Sequence, residues 1–322
     1  MNVLINASGA RIGGAITILN SYLSSIDPNV NMYYLLSPNR PENLKPNIRH
    51  IKISTRSIFT PIFAIFFSII FYIFFRCEKL ISFSNVNTIY PIKCKVTYFH
   101  QLLILTSKTN KYKLLYFAIL LSGFRNNTII VQTSYVKLLY CRQFGEEINV
   151  LVKWPSINMP IYANANANAN ANEVTSYLVL PITDIDSCHK NFHTALKYEQ
   201  DFQSLNLKVI VCADNTMNLE SDVFVFCGNL NINDFHYLLM NSIGVVTFST
   251  EETINLPIFE SLLFDKFAFV LSAPYVTGLV SDFPYLDNLL VFESQEKFTL
   301  LYKNRVYIPF CKNSILEGDW DI

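Results

Sequence analysis

Glycine is scarce in this sequence, with 9 residues among 322, and no G-x-G-x-x-G pattern occurs. The glycines nearest to such a pattern are Gly9, Gly13 and Gly14, and no convincing acidic residue follows about 20 positions later, as a dinucleotide-binding fingerprint requires. The glycine pattern therefore does not favour a dinucleotide-dependent dehydrogenase.

The sequence also lacks C-x-x-C pairs, a basic leader and a net charge. Its seven cysteines are odd in number, which predicts the reduced thiols of an intracellular protein. The start, Met1 to Ser8, has neither the basic residues nor the apolar length of a signal peptide, so we expect a chain that is not exported. A formal net charge of zero argues against a nucleic-acid partner.

The neutral total hides two oppositely charged halves. Residues 1–158 carry 17 Lys and Arg against 5 Asp and Glu, so 17 − 5 = +12, and residues 159–322 carry 8 against 20, so 8 − 20 = −12. A cationic first half suits anionic lipid or a phosphate-bearing acceptor. Attraction between two domains explains the asymmetry equally well, and both interpretations stay open.

Two apolar segments of the first half bear on membrane contact. Residues 58–75 form an uncharged run of 18, the lower limit for a membrane span. A span would separate residues that we expect to build one sheet, which favours a helix on the membrane surface or an apolar core helix. Residues 114–124, preceded by Lys108, Lys111 and Lys113, combine cationic and apolar side chains in a way that favours peripheral membrane contact over a core helix.

Short apolar runs alternate with helical patterns along most of the chain, which predicts parallel, doubly wound α/β sheets. The predicted strands are 2–7, 32–36, 48–53, 80–84, 95–100, 128–133, 148–154, 176–180, 208–212, 223–227, 244–248, 267–271 and 289–292. An (Ala-Asn)5 repeat at 163–172 interrupts the alternation and is typical of a linker. We therefore predict a first domain 1–158, a linker 159–174 and a second domain 175–322, both Rossmann-like.

The segment that indicates chemistry is SerThrGluGluThrIleAsnLeuProIlePheGlu, residues 249–260. It predicts Glu252 on the loop after a strand and Glu260 in the first turn of the next helix, with Pro257 suited to that turn. Both carboxylates would accept hydrogen bonds from hydroxyls of one ligand. The amides of Asn255 to Ile258 would meet a pyrophosphate at the helix N-terminus.

This segment, with Pro274-Tyr275 after it, resembles the E-x7-E signature of glycosyltransferase family 4, whose members have the GT-B fold of two Rossmann-like domains facing across a cleft. The run around Lys190 resembles the segment whose lysine meets the donor diphosphate. The glycine turn at Gly13 and Gly14, and the segments around His100, Thr133 and Lys137, are also similar to family segments. The resemblance covers nearly the whole chain.

The resemblance implies a retaining hexosyltransferase that uses a nucleotide-diphosphate sugar and needs neither cofactor nor metal. It implies that Glu260 holds the ribose, Glu252 the transferred sugar and Lys190 the departing diphosphate. The implied catalytic residues are His100, Lys190 and Glu252; the donor-binding residues are Gly13, Gly14, Lys190, Glu252, Asn255, Leu256, Glu260 and Tyr275; the acceptor-side residues are Thr133 and Lys137.

Resemblance and composition together suggest a bacterial enzyme at the inner face of the cytoplasmic membrane. Its acceptor would be a lipid-linked oligosaccharide of O-antigen, lipopolysaccharide or capsule synthesis. Thr253 and Asn255 replace glycines that are frequent in the family, and an arginine that commonly precedes the family's lysine is missing near Ile185. An inactive relative that binds glycan, or a nucleotide-sugar epimerase, therefore stays open. Zinc held by Cys188, His189 and His193 is disfavoured because no fourth ligand is near.

Overall fold

All thirteen predicted strand runs form strands in the computed structural model, which describes residues 1–11, 13–41, 44–157 and 176–321. Contacts between Cα atoms divide the chain into two units, Met1–Asn158 with Glu317–Ile322, and Met159–Leu316. Each unit has its own parallel sheet. The predicted linker 159–174, with its Ala-Asn repeat, lies outside the described residues.

Within the described residues, the sheet of the first unit has seven parallel strands in the order β3-β2-β1-β4-β5-β6-β7. Most of their side chains are apolar and buried, as expected of parallel strands covered on both faces. The strands are β1 (Asn2–Asn6), β2 (Met32–Ser37), β3 (Ile48–Lys52), β4 (Lys79–Ser82), β5 (Cys94–Tyr98), β6 (Asn127–Val131) and β7 (Val150–Val152).

Helices connect these strands, since parallel neighbours need crossover connections. They are α1 (Gly14–Ser25), α2 (Phe59–Ile62), α3 (Ser68–Phe74), α4 (Leu103–Thr106), α5 (Asn110–Ser122) and α6 (Ser134–Phe144). A π-helical turn, Phe63–Phe67, joins α2 to α3. The uncharged run 58–75 is thus three short helical segments, and its Ala64, Ile65 and Ile69 are buried. Among the residues described, no helix has both the length and the apolarity needed to cross a membrane.

The second unit contains a sheet of six described strands, all parallel, in the order β10-β9-β8-β11-β12-β13. Its strands are β8 (Tyr177–Leu180), β9 (Lys208–Val211), β10 (Phe224–Phe226), β11 (Gly244–Thr247), β12 (Phe267–Leu271) and β13 (Leu289–Phe292). Its helices are α7 (Phe192–Leu196), α8 (Glu199–Ser204), α9 (Ile232–Met240), α10 (Leu256–Leu263), α11 (Pro274–Asp282), α12 (Gln295–Lys303) and α13 (Asn313–Leu316).

The chain reverses its direction of winding once in each sheet. In the first unit this switch point lies between β1 and β4, and in the second it lies between β8 and β11. The loops that leave the two central strands there diverge to opposite faces of the sheet and open a crevice, which is where ligands of such sheets bind. Both sheets therefore define a candidate site before any side chain is considered.

The last described residues belong with the first unit, whereas the predicted second domain extended to residue 322. Lys153 forms an ion pair with Asp319 at 2.8 Å. Trp320 donates a hydrogen bond from Nε1 to Ser21 Oγ at 2.9 Å, and its ring lies 5.3 Å from that of Tyr22. These contacts hold the segment on the first unit, and no local sequence pattern predicts them.

Candidate functional site

The switch point of the second sheet brings together the loops that follow β8 and β11. Because β8 and β11 pair in parallel, with Val245 opposite Val179, their carboxyl ends lie at one edge. The loop after β8 leads to a 3-10 turn, Cys188–Lys190, and the loop after β11 carries Glu252. Lys190 and Glu252, which are 62 positions apart in sequence, are therefore neighbours in the fold.

Two hydrogen bonds fix the turn that carries Lys190. The amide of Thr250 donates to His189 O at 2.8 Å. Asn191, which has a left-handed φ of 55°, donates from Nδ2 to Phe248 O at 3.2 Å. The turn and the loop after β11 are thus tied to each other, so the direction of the Lys190 side chain is set by the strand order.

Lys190 Nζ lies 2.6 Å from Glu252 Oε1. Their side chains are 24% and 17% exposed, so the pair is shielded from bulk water yet reachable by a ligand. A cation and an anion held together at the edge of a parallel sheet provide one group for phosphate oxygens and one for hydroxyls. The structure therefore brings two of the three predicted catalytic residues into direct contact.

Asn255 and Tyr275 support the loop that carries Glu252. Asn255 has a left-handed φ of 52°, and its Nδ2 is within 3.2 Å of Thr247 Oγ1 and 3.3 Å of the Tyr275 hydroxyl. Burial, followed by the nearby charge of Glu252, raises the pKa of the Tyr275 phenol. Tyr275 is therefore a neutral hydrogen-bonding group beside the ion pair.

The N-terminus of α10 offers fewer amides than predicted. Pro257 has no amide hydrogen, and the amide of Ile258 already donates to Asn255 O at 3.1 Å. Two of the four amides expected to meet a pyrophosphate are thus committed or missing. Leu256, the first residue of the helix, is largely buried. The prediction of an amide cluster over residues 255–258 is wrong for these two positions, because Pro257 has no amide hydrogen and the Ile258 amide bonds to Asn255 O within the first turn.

Glu260 takes part in a separate contact. It lies in the second turn of α10, not in the predicted first turn, because the helix begins at Leu256. Its Oε1 accepts a hydrogen bond from His236 Nε2 at 3.2 Å, and both side chains are nearly buried, at 6% and 3% exposure. Among the described residues, His236 Nδ1 is buried without a partner.

His236 is a residue that the sequence analysis missed. It lies on α9, whose sequence around it, Ile232–Met240, has an ordinary helical pattern. It reaches Glu260 because α9 packs beside α10, and no local sequence motif predicts that packing. The two predicted carboxylates therefore lie in separate contacts: Glu252 pairs with Lys190 at the sheet edge, and Glu260 pairs with His236 between two helices.

The switch point of the first sheet borders a pocket of about 180 Å³. Residues that follow β1, β4 and β5 line it, together with residues from α1, α2 and α5; they include Gly9, Ala15, Thr60, Ser84, Asn85, His100, Gln101 and Lys111. Among the described residues, the Ser84 hydroxyl is buried with no hydrogen-bond partner. An unsatisfied hydroxyl beside a pocket is a group that a polar ligand would complete.

His100 lies in this pocket, as a predicted catalytic residue should. Its amide donates to Asn85 Oδ1 at 2.8 Å, which fixes the backbone after β5. Burial lowers the pKa of its imidazole to about 4. At neutral pH it is thus a neutral ring that can donate or accept a hydrogen bond.

The other first-unit predictions fall outside this pocket lining. Gly13 precedes α1 with a left-handed φ of 63°, and Gly14 is the first residue of that helix. Thr133 is buried and caps α6, because its Oγ1 accepts from Val136 N at 3.3 Å. Lys137 is exposed on α6. Thr133 therefore has a capping role in α6, and its predicted acceptor-side role stays a prediction.

No group of three or more His, Cys, Asp or Glu side chains is placed to hold a metal ion in the part of the chain that the structure describes.

Known proteins match this chain in structure and not in sequence. No profile of a protein family matches the sequence, and no curated protein matches it. WaaG, a glycosyltransferase involved in lipopolysaccharide biosynthesis, superposes with a TM-score of 0.68 at 10% identity, over 94% of this chain and 90% of WaaG. Sucrose-phosphate synthase from Thermosynechococcus elongatus gives 0.65 at 11%, over 94% and 88%.

HepE from Anabaena, solved with UDP and glucose, gives 0.64 at 12% identity, over 94% of this chain and 90% of HepE. These structures are α/β proteins of the GT-B class. The two parallel sheets of seven and six described strands therefore define the fold of this chain as GT-B.

Proposed function

We propose that this protein is a glycosyltransferase that moves a sugar from a nucleotide-diphosphate sugar to an acceptor. One observation carries the proposal: Lys190 and Glu252 form a largely shielded ion pair at the switch point of the second sheet in a GT-B fold. HepE, which shares the fold, was solved with UDP and glucose. A lysine and a carboxylate at a sheet edge suit the diphosphate and the hydroxyls of such a donor.

In the proposed mechanism Lys190 exchanges partners when the donor binds. Without a ligand it neutralises Glu252; with one, its ammonium pairs with the diphosphate and frees the Glu252 carboxylate to accept hydrogen bonds from sugar hydroxyls. As the bond between sugar and phosphate breaks, negative charge grows on the leaving diphosphate. A fixed cation at that position lowers the barrier, since stabilisation of developing charge is commonly the largest catalytic contribution.

The other donor-site assignments follow the same proposal. Asn255, Leu256 and Tyr275 shape the loop around Glu252. Glu260 holds the ribose, with its carboxylate oriented by His236. Gly13, Gly14, His100, Thr133 and Lys137 are proposed contacts of the first unit. No cofactor or metal is proposed, because Lys190 supplies the positive charge.

The finer proposal is a family 4 enzyme that retains anomeric configuration and transfers a hexose to a lipid-linked saccharide. Support comes from the E-x7-E spacing of Glu252 and Glu260 and from the excess of basic residues in the first half. WaaG acts in lipopolysaccharide biosynthesis, which suggests O-antigen, lipopolysaccharide or capsule synthesis at the inner face of a bacterial membrane for this protein also.

Thermal unfolding with a panel of nucleoside diphosphates tests the donor site. We expect one of them to raise the melting temperature, and we expect Lys190→Ala to abolish that shift. Lys197→Ala is the matched control, because Lys197 is an exposed lysine at the end of α7 in the same unit. A shift that survives Lys190→Ala would remove Lys190 from the site.

Transfer from a radiolabelled donor to extracted membrane lipid then tests the reaction. We expect Lys190→Ala and Glu252→Gln to lower kcat by roughly 10² to 10³, as loss of charge stabilisation does elsewhere. Conversion of the donor sugar without an acceptor would instead identify an epimerase. Nucleotide binding without either reaction would identify an inactive relative, and the product's anomeric configuration by NMR decides retention.

A further inference from the structure

Two helical segments of the first unit leave large apolar side chains in water. On the segment formed by the π-helical turn and α3, the exposed residues are Phe66, Phe67, Ile70, Ile73 and Phe74, the last at 76%. On α5 they are Leu114, Phe117, Leu120 and Leu121, with Phe117 at 64%. Single exposed apolar residues are normal, whereas contiguous sets of this size mark an interaction site.

The exposed residues follow helical spacing. Positions 66 or 67, 70 and 73 or 74 recur every three to four residues, so they form one face. The opposite face carries Ala64, Ile65 and Ile69, which are buried in the protein core. A surface helix in water is apolar on one face only, and here both faces are apolar. The outer face therefore requires a second apolar environment.

The two segments are neighbours. Ala64 and Ile65 share a hydrophobic cluster with Ile119 of α5. Thr60 of α2 and Lys111 of α5 line the same pocket. We call the exposed apolar residues of the two segments the apolar surface.

The charge around the apolar surface has one sign. Residues 54–125 contain nine Lys and Arg and a single acidic residue, Glu78. Lys108 and Lys113 lie at one end of α5 and Arg125 follows the other end, and all three are exposed. Two copies of this chain meeting through the same surface would bring these like charges together, which opposes a dimer. An anionic partner with an apolar interior fits both properties.

We propose that the apolar surface docks the protein on an anionic lipid bilayer. The phenylalanine, leucine and isoleucine side chains enter the boundary of headgroups and acyl chains, and the flanking lysines and arginines pair with lipid phosphates. The inference deepens the proposed function and rests on its placement of the protein at a membrane face; it adds which residues contact the lipid and which charge the lipid carries. Docking also brings lipid to α5, whose Lys111 lines the pocket at the switch point of the first sheet.

Co-sedimentation with vesicles tests the proposal. The full chain is mixed with vesicles of phosphatidylcholine alone or of phosphatidylcholine with phosphatidylglycerol. We expect binding to the anionic vesicles, little to the neutral ones, and release as salt is raised. Phe74→Ser and Phe117→Ser should each weaken binding roughly tenfold, and Lys113→Gln and Arg125→Gln each about fivefold.

Matched controls come from α6 of the same unit. Leu138 is 54% exposed and Arg142 is exposed, and both lie outside the apolar surface. Leu138→Ser and Arg142→Gln should leave vesicle binding within about twofold of the parent, given that unrelated surface changes have small effects. Urea unfolding of every variant should match that of the parent, because all the changed side chains are exposed.

Equal binding to neutral and anionic vesicles would overturn the proposal, and so would full binding by the double variant Phe74→Ser, Phe117→Ser. A dimer of the parent protein without lipid, dissociated by the same double substitution, would also overturn it. Nucleoside diphosphate binding, measured on the same samples, distinguishes failure of the docking proposal from failure of the proposed transferase function. Loss of docking with nucleotide binding intact rejects docking alone. Docking with no nucleotide binding by the parent protein rejects the proposed transferase alone.

Discussion

The buried contact between Glu260 and His236 gives a prediction at the scale of single residues. His236→Ala removes the donor to a carboxylate that is only 6% exposed. A buried acceptor left without its partner costs its desolvation free energy, so we expect the free energy of unfolding to fall by about 2 kcal/mol. Urea unfolding measures this loss. His193→Ala, at an exposed position of α7, should change it by less than about 0.5 kcal/mol.

A double-mutant cycle with Glu260→Gln distinguishes a real coupling from a cavity effect. If the two side chains interact, the losses of the single variants will not add in the double variant, and the difference should exceed about 0.5 kcal/mol. Nucleotide affinity of His236→Ala adds a functional readout, because a misplaced Glu260 should bind ribose less well. Additive losses would show that the hydrogen bond has no energetic importance.

His100 predicts a dependence of stability on pH. Its pKa is about 4 in the folded chain, because burial disfavours the charged ring, against 6.5 when exposed. Since the folded pKa is the lower one, the unfolded chain gains the proton first as pH falls, and stability is lost between about pH 6.5 and 4. From pH 7 to 5 we expect this residue to account for a loss of about 2 kcal/mol.

Urea unfolding of the parent and of His100→Gln at both pH values checks this expectation. The variant should lose less stability on acidification, by the amount that His100 contributes. NMR titration of the histidine ring protons provides a direct measurement. A ring that titrates near pH 6.5 in the folded protein would contradict the assignment.

At the scale of elements, the strand β11 depends on its first residue. A Cβ atom at Gly244 would lie 1.9 Å from Phe267 O in the neighbouring strand β12. We therefore expect Gly244→Ala to separate the two strands and to lower the free energy of unfolding by about 3 kcal/mol. Gly123→Ala is the contrasting variant: its φ is 67°, but nothing lies within 4 Å of the added atom, so only the backbone penalty of about 1 kcal/mol remains.

Because β11 leads to Glu252, Gly244→Ala should also weaken nucleoside diphosphate binding, whereas Gly123→Ala should not. Calorimetric titration at a temperature where both variants are folded measures the difference. Equal stability of the two variants would show that the sheet tolerates the added carbon, which the geometry excludes.

The elements were predictable from sequence, and the side-chain partnerships between them only in part. Parallel strands buried on both faces appear as short apolar runs, which is why the strands were confirmed. The contact between Lys190 and Glu252 follows from strand order, since β8 and β11 are neighbours at a switch point. The contact of Glu260 with His236 depends on how α9 lies against α10, and sequence spacing does not contain that information.

One prediction failed for a local reason that the sequence does contain. Pro257 necessarily lacks an amide hydrogen, so the predicted amide cluster at the start of α10 was too generous. Thr133 is followed three residues later by the amide that it caps, a common arrangement at helix starts. Both positions show that capping should be considered before ligand binding at a helix N-terminus.

At the scale of the whole molecule, the two units repeat one plan. Each has a parallel sheet that winds in both directions from its centre, and each has its candidate groups at the carboxyl edge of the two central strands. The first unit presents a neutral histidine and polar side chains, and the second presents an ion pair. This difference supports the proposal that the first unit binds the acceptor and the second unit binds the donor.

A substitution in the segment after Leu316 tests whether the two units are stabilised independently. Trp320 packs its ring 5.3 Å from that of Tyr22 and 5.7 Å from that of Tyr98, and its indole donates to Ser21. Trp320→Ala removes these contacts, so the first unit should lose about 2 kcal/mol. Trp320→Phe keeps a ring without the hydrogen bond and should lose less.

The chain contains two tryptophans, and the other, Trp154, also lies in the first unit, where it is buried. Its fluorescence during urea unfolding therefore reports that unit alone in Trp320→Ala. We expect its midpoint to shift to lower urea while nucleoside diphosphate binding in native buffer, which we propose for the second unit, stays as in the parent. A Trp154 midpoint unchanged by the substitution, or a parallel loss of nucleotide binding, would show that the segment after Leu316 does not stabilise the first unit specifically.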